Sequence, residues 1–376
     1  MQSPKETKNQ RGFSLLELLV TMGVMLVIMA AVFSLMGSAL KTSTVAYELT
    51  NAQQSVRTAH EFFNRDLTVA GDGLLGISDN GIQVRLPFAQ RLMQNPYQPT
   101  IAEGGFDSTS FAVLSIVNSD NEVAAGVVEP ANSGATVPAR TVRSAPNATD
   151  RMTMVTIDPD GAFTPISPIP PASVSADGTT VTVTIAQSGQ CTAGDILFIS
   201  NGDLATFGTV TGGCGATGTI VFANDAYELN TLSTGTTPGR ALAKLAALGS
   251  PLIISRMLIH HYFVDTDGLL RRRTYGVGGG VGFTDSVIAE RVTRFQVRYR
   301  LFGFDSAFNL LYAGLQNDLS YVAVAPAIPN LPSAVREVET AVTIETAHAV
   351  VNNQRSSVNA TATTSVRNLE FRNNAQ

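Results

Sequence analysis

Tryptophan is absent from this 376-residue chain, cysteine occurs twice, histidine four times, and charged residues make up only 15 %. Each shortage removes a class of function. Cys191 and Cys214 form no CxxC pair and stand beside no Cys/His cluster, so a zinc centre is not expected. No GxSxG or HExxH occurs, and none of the 30 acidic residues is marked by a catalytic motif. The expectation is a non-enzyme with no catalytic residue, no cofactor and no metal. His260 and His261 are consecutive on an expected strand and point to opposite faces, so they do not chelate one ion together. Basic residues number 25 and the net charge is −5. No basic stripe stands out, and direct nucleic-acid binding is not expected. The nearest candidate, Arg271-Arg272-Arg273, reads as a solvated strand end. Gly71, Gly73 and Gly76 satisfy GxGxxG, but they follow a helical pattern and lead into a loop, the reverse of what a dinucleotide fold requires.

What the chain does have is one long uncharged run. Residues 1–12, MQSPKETKNQRG, are polar and carry Lys5, Lys8 and Arg11. From Leu18 to Leu40 there is no charge at all. As a helix that run spans about 35 Å at 1.5 Å per residue, enough for a bilayer core of about 30 Å. The preceding positive charges place the leader in the cytoplasm and the rest outside. The run is too long for the apolar region of an ordinary signal peptide. A plain signal anchor fits the length but leaves Glu17 unexplained. A carboxylate in an apolar helix costs roughly 2.5–3.5 kcal/mol at the bilayer centre and is a functional hypothesis by default.

The string Arg11-Gly12-Phe13-Ser14-Leu15-Leu16-Glu17 resembles the class III leader of type IV prepilins and type II secretion pseudopilins. The resemblance implies cleavage by a prepilin peptidase between Gly12 and Phe13, and N-methylation of the new Phe13 amine. It also implies pairing of the Glu17 carboxylate with the amine of a neighbouring subunit. An unpaired charge in an apolar filament core is costly, and pairing recovers much of that cost. Where many major pilins carry a proline this chain has Ser34, which leans away from a stalk-building subunit.

Residues 41–71 continue as an amphipathic helix, with Val45, Leu49, Ala52, Val56, Ala59, Phe63 and Leu67 spaced by threes and fours. Its end, Phe62-Phe63-Asn64-Arg65-Asp66-Leu67 followed by Ala70-Gly71, resembles minor pilins of the PilW type. So does the second half: a strand, a turn, Leu-x-Arg, then Ile288–Tyr299, a last strand from about Val335, and Arg367-Asn368-Leu369. The body reads as antiparallel strands with one wet face. Phe295, Val297, Tyr299 and Leu301 alternate with Arg294, Gln296, Arg298 and Arg300, and Val338, Thr340, Val342 and Ile344 alternate with Glu337, Glu339, Thr343 and Glu345, allowing for Ala341, so the two strands are expected to pair. Thr180 to Ile185 alternates as a further strand. Asp265-Thr266-Asp267-Gly268 reads as a tight hairpin turn, with a calcium loop as the weaker alternative.

The expected fold class is α+β: a long N-terminal transmembrane and amphipathic helix packed on an antiparallel β-rich, pilin-like body. The expected divisions are a leader (1–12), a membrane or filament-core helix (13–40), an amphipathic helix (41–71) and a globular body (72–376). A Gly/Pro/Ser-rich tract near 164–173 marks an inserted sub-region around 160–250. In an exported chain Cys191 and Cys214 form a disulfide, closing a loop worth roughly 3 kcal/mol; the other reading is two buried thiols. The implied function is a minor pilin acting in a priming or tip complex. Its implied partners are the prepilin peptidase, other major and minor pilins, and a large tip adhesin. It would reside in the inner membrane before assembly and in a surface pilus afterwards, where the fibre serves adhesion or twitching. The alternatives are a J-type minor pseudopilin of type II secretion and a signal-anchored binding module.

Overall fold

The computed structural model describes residues 14–72, 74, 82–93, 111–122, 149–158, 166–201, 205–215, 217–223, 227, 229–230, 232–234, 237–239, 241–265, 267–277, 283–304, 310–317, 334–348 and 355–366. Helix α1 spans Leu15–Thr68. After it come β1 (Ile82–Arg85), α2 (Leu86–Leu92), β2 (Phe111–Leu114), β3 (Val117–Asp120), β4 (Arg151–Ile157) and β5 (Ile166–Ile169). The middle holds β6 (Thr180–Thr182), α3 (Ile185–Ser188), β7 (Ile196–Ser200), β8 (Ala205–Thr209), β9 (Thr219–Val221), β10 (Leu232–Thr234), β11 (Thr237–Gly239) and α4 (Ala241–Ala247). The last third is β12 (Leu252–Val264), β13 (Leu270–Tyr275), β14 (Phe283–Ala289), β15 (Val292–Phe304), β16 (Leu310–Gln316), β17 (Val335–Glu345) and β18 (Ser357–Ser365). This is a long apolar helix followed by an antiparallel β-rich body, a mixed α+β fold. The chain divides into two compact units, Met1–Asn51 with Thr346–Ser356, and Ala52–Glu345 with Ser357–Gln376.

In the first unit α1 is unbroken at Ser34. Its hydroxyl side chains return their hydrogen bonds to its own carbonyls: Thr21 to Leu18 (2.9 Å), Ser38 to Leu35 (2.8 Å) and Thr42 to Ser38 (3.0 Å). Such back-bonding lets a hydroxyl sit in apolar surroundings without an orphaned donor. Further along, Glu48 is buried. Its carboxylate accepts the Ala347 N–H at 2.8 Å and lies 2.9 Å from His348 Nδ1.

In the second unit α1 buries one stripe, Ala52, Val56, Ala59, Phe63 and Leu67. Phe63 packs edge-on to Tyr262 (4.8 Å) and stacks on Phe295 (5.2 Å). The helix ends at Thr68, and Gly71 follows at φ +76° with its N–H on Val155 O. A Cβ there would lie 2.7 Å from the Ile116 side chain, so glycine is required both by conformation and by space.

One eight-stranded sheet has the path β14-β13-β12-β4-β3, with β5 and β7 also on β12 and β8 on β7. A four-stranded sheet runs β16-β15-β17-β18. On β7 and β12, Ile196, Phe198, Met257 and Ile259 face the main core, which contains the α1 stripe. Leu197, Ile199, Leu252 and Ile254 face a second core with Ile166, Val181, Phe222 and Leu242. The second core thus lies on the sheet's other face, which is why β7 is buried along its whole length.

Three expectations about the body are altered. The Thr/Val alternation stops after Thr182, because Thr184 and Gln187 form a capping box that starts α3. The Asp265–Gly268 turn is wider than a two-residue hairpin, since Val264 pairs with Leu270 and Asp265 N–H bonds Leu269 O. The Asp265 carboxylate accepts the N–H groups of Asp267 and Leu269 and Arg271 Nε, which holds the turn closed. Finally, Arg271–Arg273 is no solvated strand end: Arg271 pairs with Asp265, Arg272 with Asp66 and Arg273 with Asp285.

Candidate functional site

Every Leu, Ile, Val, Met and Phe from Leu15 to Leu40 is exposed, from 45 % at Met29 to 82 % at Leu15. The best 18-residue window has a mean hydropathy of 2.6, so the helix is long and apolar enough to cross a membrane. A continuous apolar surface of this size demands a cover, either lipid or other helices. Glu17 lies in the first turn, exposed, where the helix dipole favours a carboxylate. The helix begins with Leu18 N–H on Ser14 O at 3.1 Å. Gly12 and Phe13 lie outside the described residues.

A second polar site closes the other end of α1. Asp66 is buried and accepts hydrogen bonds from Tyr262 Oη (2.6 Å) and Arg272 Nε (2.7 Å). Arg65 Nε reaches its other oxygen at 3.1 Å. His260 lies behind, within 3.2 Å of Thr156 Oγ1 and Arg272 Nη2 and 3.1 Å of Thr274 Oγ1. Burial alone would raise the Asp66 pKa, but the nearby His260, Arg272 and Tyr262 outweigh it and hold it below the usual carboxylate value. Burial lowers His260 to about 4, against the opposing pull of Asp66, so its imidazole is neutral at pH 7. Burial first, then Asp66, raises the Tyr262 phenol. Both Asp66 oxygens are engaged, and the cluster ties α1 to β12 and β13. The Arg-Asp-Leu motif and the arginine run, 206 positions apart, meet here.

His261 is also buried, with Thr153 Oγ1 2.9 Å from Nδ1, on the opposite face of β12 from His260. Among the described residues no group of three or more His, Cys, Asp or Glu could hold a metal ion. Cys191 and Cys214 are joined as a disulfide with their Cα atoms 5.4 Å apart, beside the second core. No local motif marks Glu48 or Asp150, whose carboxylate takes the N–H groups of Glu122 (2.9 Å) and Val297 (2.7 Å). Arg367-Asn368-Leu369 lies outside the described residues.

Residues 7–33 match the family description "Prokaryotic N-terminal methylation motif". Neither the curated proteins nor the solved structures returned a match. The matched span contains Gly12, Phe13 and Glu17 and the first part of the exposed helix. A motif of this kind implies processing by a prepilin peptidase and association with other pilins. Together with the single apolar helix, it supports a membrane-anchored type IV pilin-like or pseudopilin protein.

Proposed function

We propose that the chain is a minor pilin of the PilW type, working in the priming or tip complex of a type IV pilus. The carrying observation is the register of Gly12, Phe13 and Glu17 directly ahead of an apolar helix whose large side chains are exposed. Prepilin peptidase cuts after Gly12, and the Phe13 amine is methylated. The helix then leaves the inner membrane for the filament core. There Glu17 pairs with the amine of a neighbouring subunit, which fixes register more than it adds affinity. The body is a structural element and not an enzyme, with no cofactor. The PilW reading is supported by the resemblance of residues 62–71 and 288–299 to that type.

The test is deletion of the gene in its own host, followed by complementation. Loss of surface pili with normal secretion is expected. Loss of secretion with normal pili would mark a J-type pseudopilin, and loss of neither would leave a signal-anchored binding module. In the same host, Glu17→Ala is expected to be processed normally and to reach sheared filaments poorly.

A further inference from the structure

His260 stands on β12 among three polar neighbours, and one of them fixes where its proton sits. Thr274 Oγ1 lies 3.1 Å from Nδ1, and Thr156 Oγ1 lies 3.2 Å from Nε2. A hydroxyl can donate or accept, so neither threonine distinguishes the two neutral tautomers. Arg272 Nη2, 3.2 Å from Nε2, does distinguish them. A guanidinium nitrogen only donates, so Nε2 offers its lone pair. The ring proton is then on Nδ1, where Thr274 Oγ1 accepts it.

The same guanidinium holds the end of α1. Arg272 Nε donates to Asp66 Oδ2 at 2.7 Å, beside Tyr262 Oη at 2.6 Å. The chain leaving the helix then lies on β4: Ala70 bridges Thr156, and Gly71 N–H bonds Val155 O. All of these residues belong to the second unit. The charges facing His260 are Asp66 and Arg65 from α1 and Arg272 from β13. β4 contributes the uncharged Thr156, and burial keeps the Tyr262 phenol protonated. One carboxylate therefore already answers two guanidinium groups. A protonated His260, only 1 % exposed, would make three cations for one carboxylate.

We infer that His260 is a proton-operated latch on the end of α1. Neutral, its Nε2 lone pair holds Arg272 in place on Asp66. A proton added at Nε2 turns that nitrogen into a donor facing a donor, and sets a like charge against the guanidinium. Arg272 swings away, Asp66 loses a buried partner, and residues 66–71 part from β4 and β13 while the sheets stay paired. His260 takes up its proton near 6.5 when exposed and at about 4 where it is buried. Between those values an opening that exposes it is favoured about tenfold more for each unit the pH falls.

Two measurements on the full-length chain in detergent test the latch. The first is the nitrogen spectrum of 15N-histidine-labelled chain at pH 7. The His260 signals, identified by their loss in His260→Gln, are expected to show Nδ1 protonated and Nε2 bare. A proton on Nε2 would overturn the inference, and this readout needs no variant to fold. The second is amide hydrogen exchange, corrected for its intrinsic pH dependence. Protection of the Gly71 amide is expected to fall about 100-fold from pH 6.5 to 4.5. At pH 4.5 it should be at least tenfold less protected than the amides that pair β15 with β17. His260→Gln should keep Gly71 protected at pH 4.5, because its amide can accept from Arg272 and takes up no proton. His60→Gln should still show the fall. Gly71 and the sheet amides opening together, or an equal fall in His260→Gln, would overturn the latch. Neither measurement needs leader cleavage, so failure of the pilin reading would show separately.

Discussion

The two ends of α1 share one secondary structure and opposite chemistry. From Leu15 to Leu40 large apolar side chains point outward all around the helix, and every one is exposed. From Ala52 to Leu67 they keep to one stripe, and all of that stripe is buried. Helix propensity does not distinguish the two; the angular distribution of apolar residues does. An all-round apolar helix needs a cover supplied from outside, whereas a striped helix finds its cover in its own chain. The contrast separates assembly from stability: substitutions toward the N-terminus should alter partners, and substitutions toward Thr68 should alter folding.

The largest test of that separation is Phe63→Ala. It removes a ring packed between Tyr262 and Phe295. Denaturant unfolding of the detergent-solubilised chain should show a loss of about 3–5 kcal/mol. Leu26→Ala, in the exposed half, should leave that transition where it was. A comparable loss from Leu26→Ala would mean that the exposed half also contributes to folding.

Next in size is acid. His260 is held neutral by burial to about pH 4 and takes up its proton near 6.5 when unfolded. Between those values the unfolded chain binds more protons, so stability rises with pH and falls by about 3 kcal/mol as pH drops from 7 to 4. His60, lowered by the same cause, acts in the same direction. Asp66, with its pKa lowered, adds stability that is lost only as pH falls below the usual carboxylate range. His260→Gln should flatten the pH 4–6.5 slope of a melting-temperature series. An unchanged slope would contradict the assignment.

Replacing both Cys191 and Cys214 with Ala should cost roughly 3 kcal/mol by the loop-entropy account. The loss should be concentrated in the second core, with hydrogen exchange faster in β6 and β9 than in β15 and β17. Asp66→Asn keeps shape and loses charge-assisted bonds to Arg272 and Tyr262, at about 1.5–3 kcal/mol in the same unfolding assay. The smallest effect is expected from Arg298→Ala. Its partner Glu339 lies 3.7 Å away in a half-exposed pair, worth at most about 0.2–1 kcal/mol.

Much of this was legible where cause and effect lie close along the chain. The stripe on α1 announced its buried face, and the arginine and glutamate faces announced that β15 pairs with β17, where Arg298 stands opposite Glu339 and Arg300 opposite Glu337. Asp66 was not legible as a buried anchor, since its partners Tyr262 and Arg272 come from strands about 200 residues away. For the same reason Arg271–Arg273 looked solvated: no local pattern names a carboxylate that arrives by tertiary folding. The two-faced burial of β7 was equally hidden, because alternation marks a strand with one wet face and β7 has none. Thr184 and Gln187 carried a readable helix signal that the neighbouring alternation masked.

Entry into the pilin pathway leaves a covalent record at the start of the mature chain, and its intact mass reads that record. The chain should be purified from a host with its own prepilin peptidase. The expected mass lacks residues 1–12 and carries one added methyl on Phe13. A full-length mass, or a cut elsewhere, would contradict it and remove the basis for the Glu17 pairing.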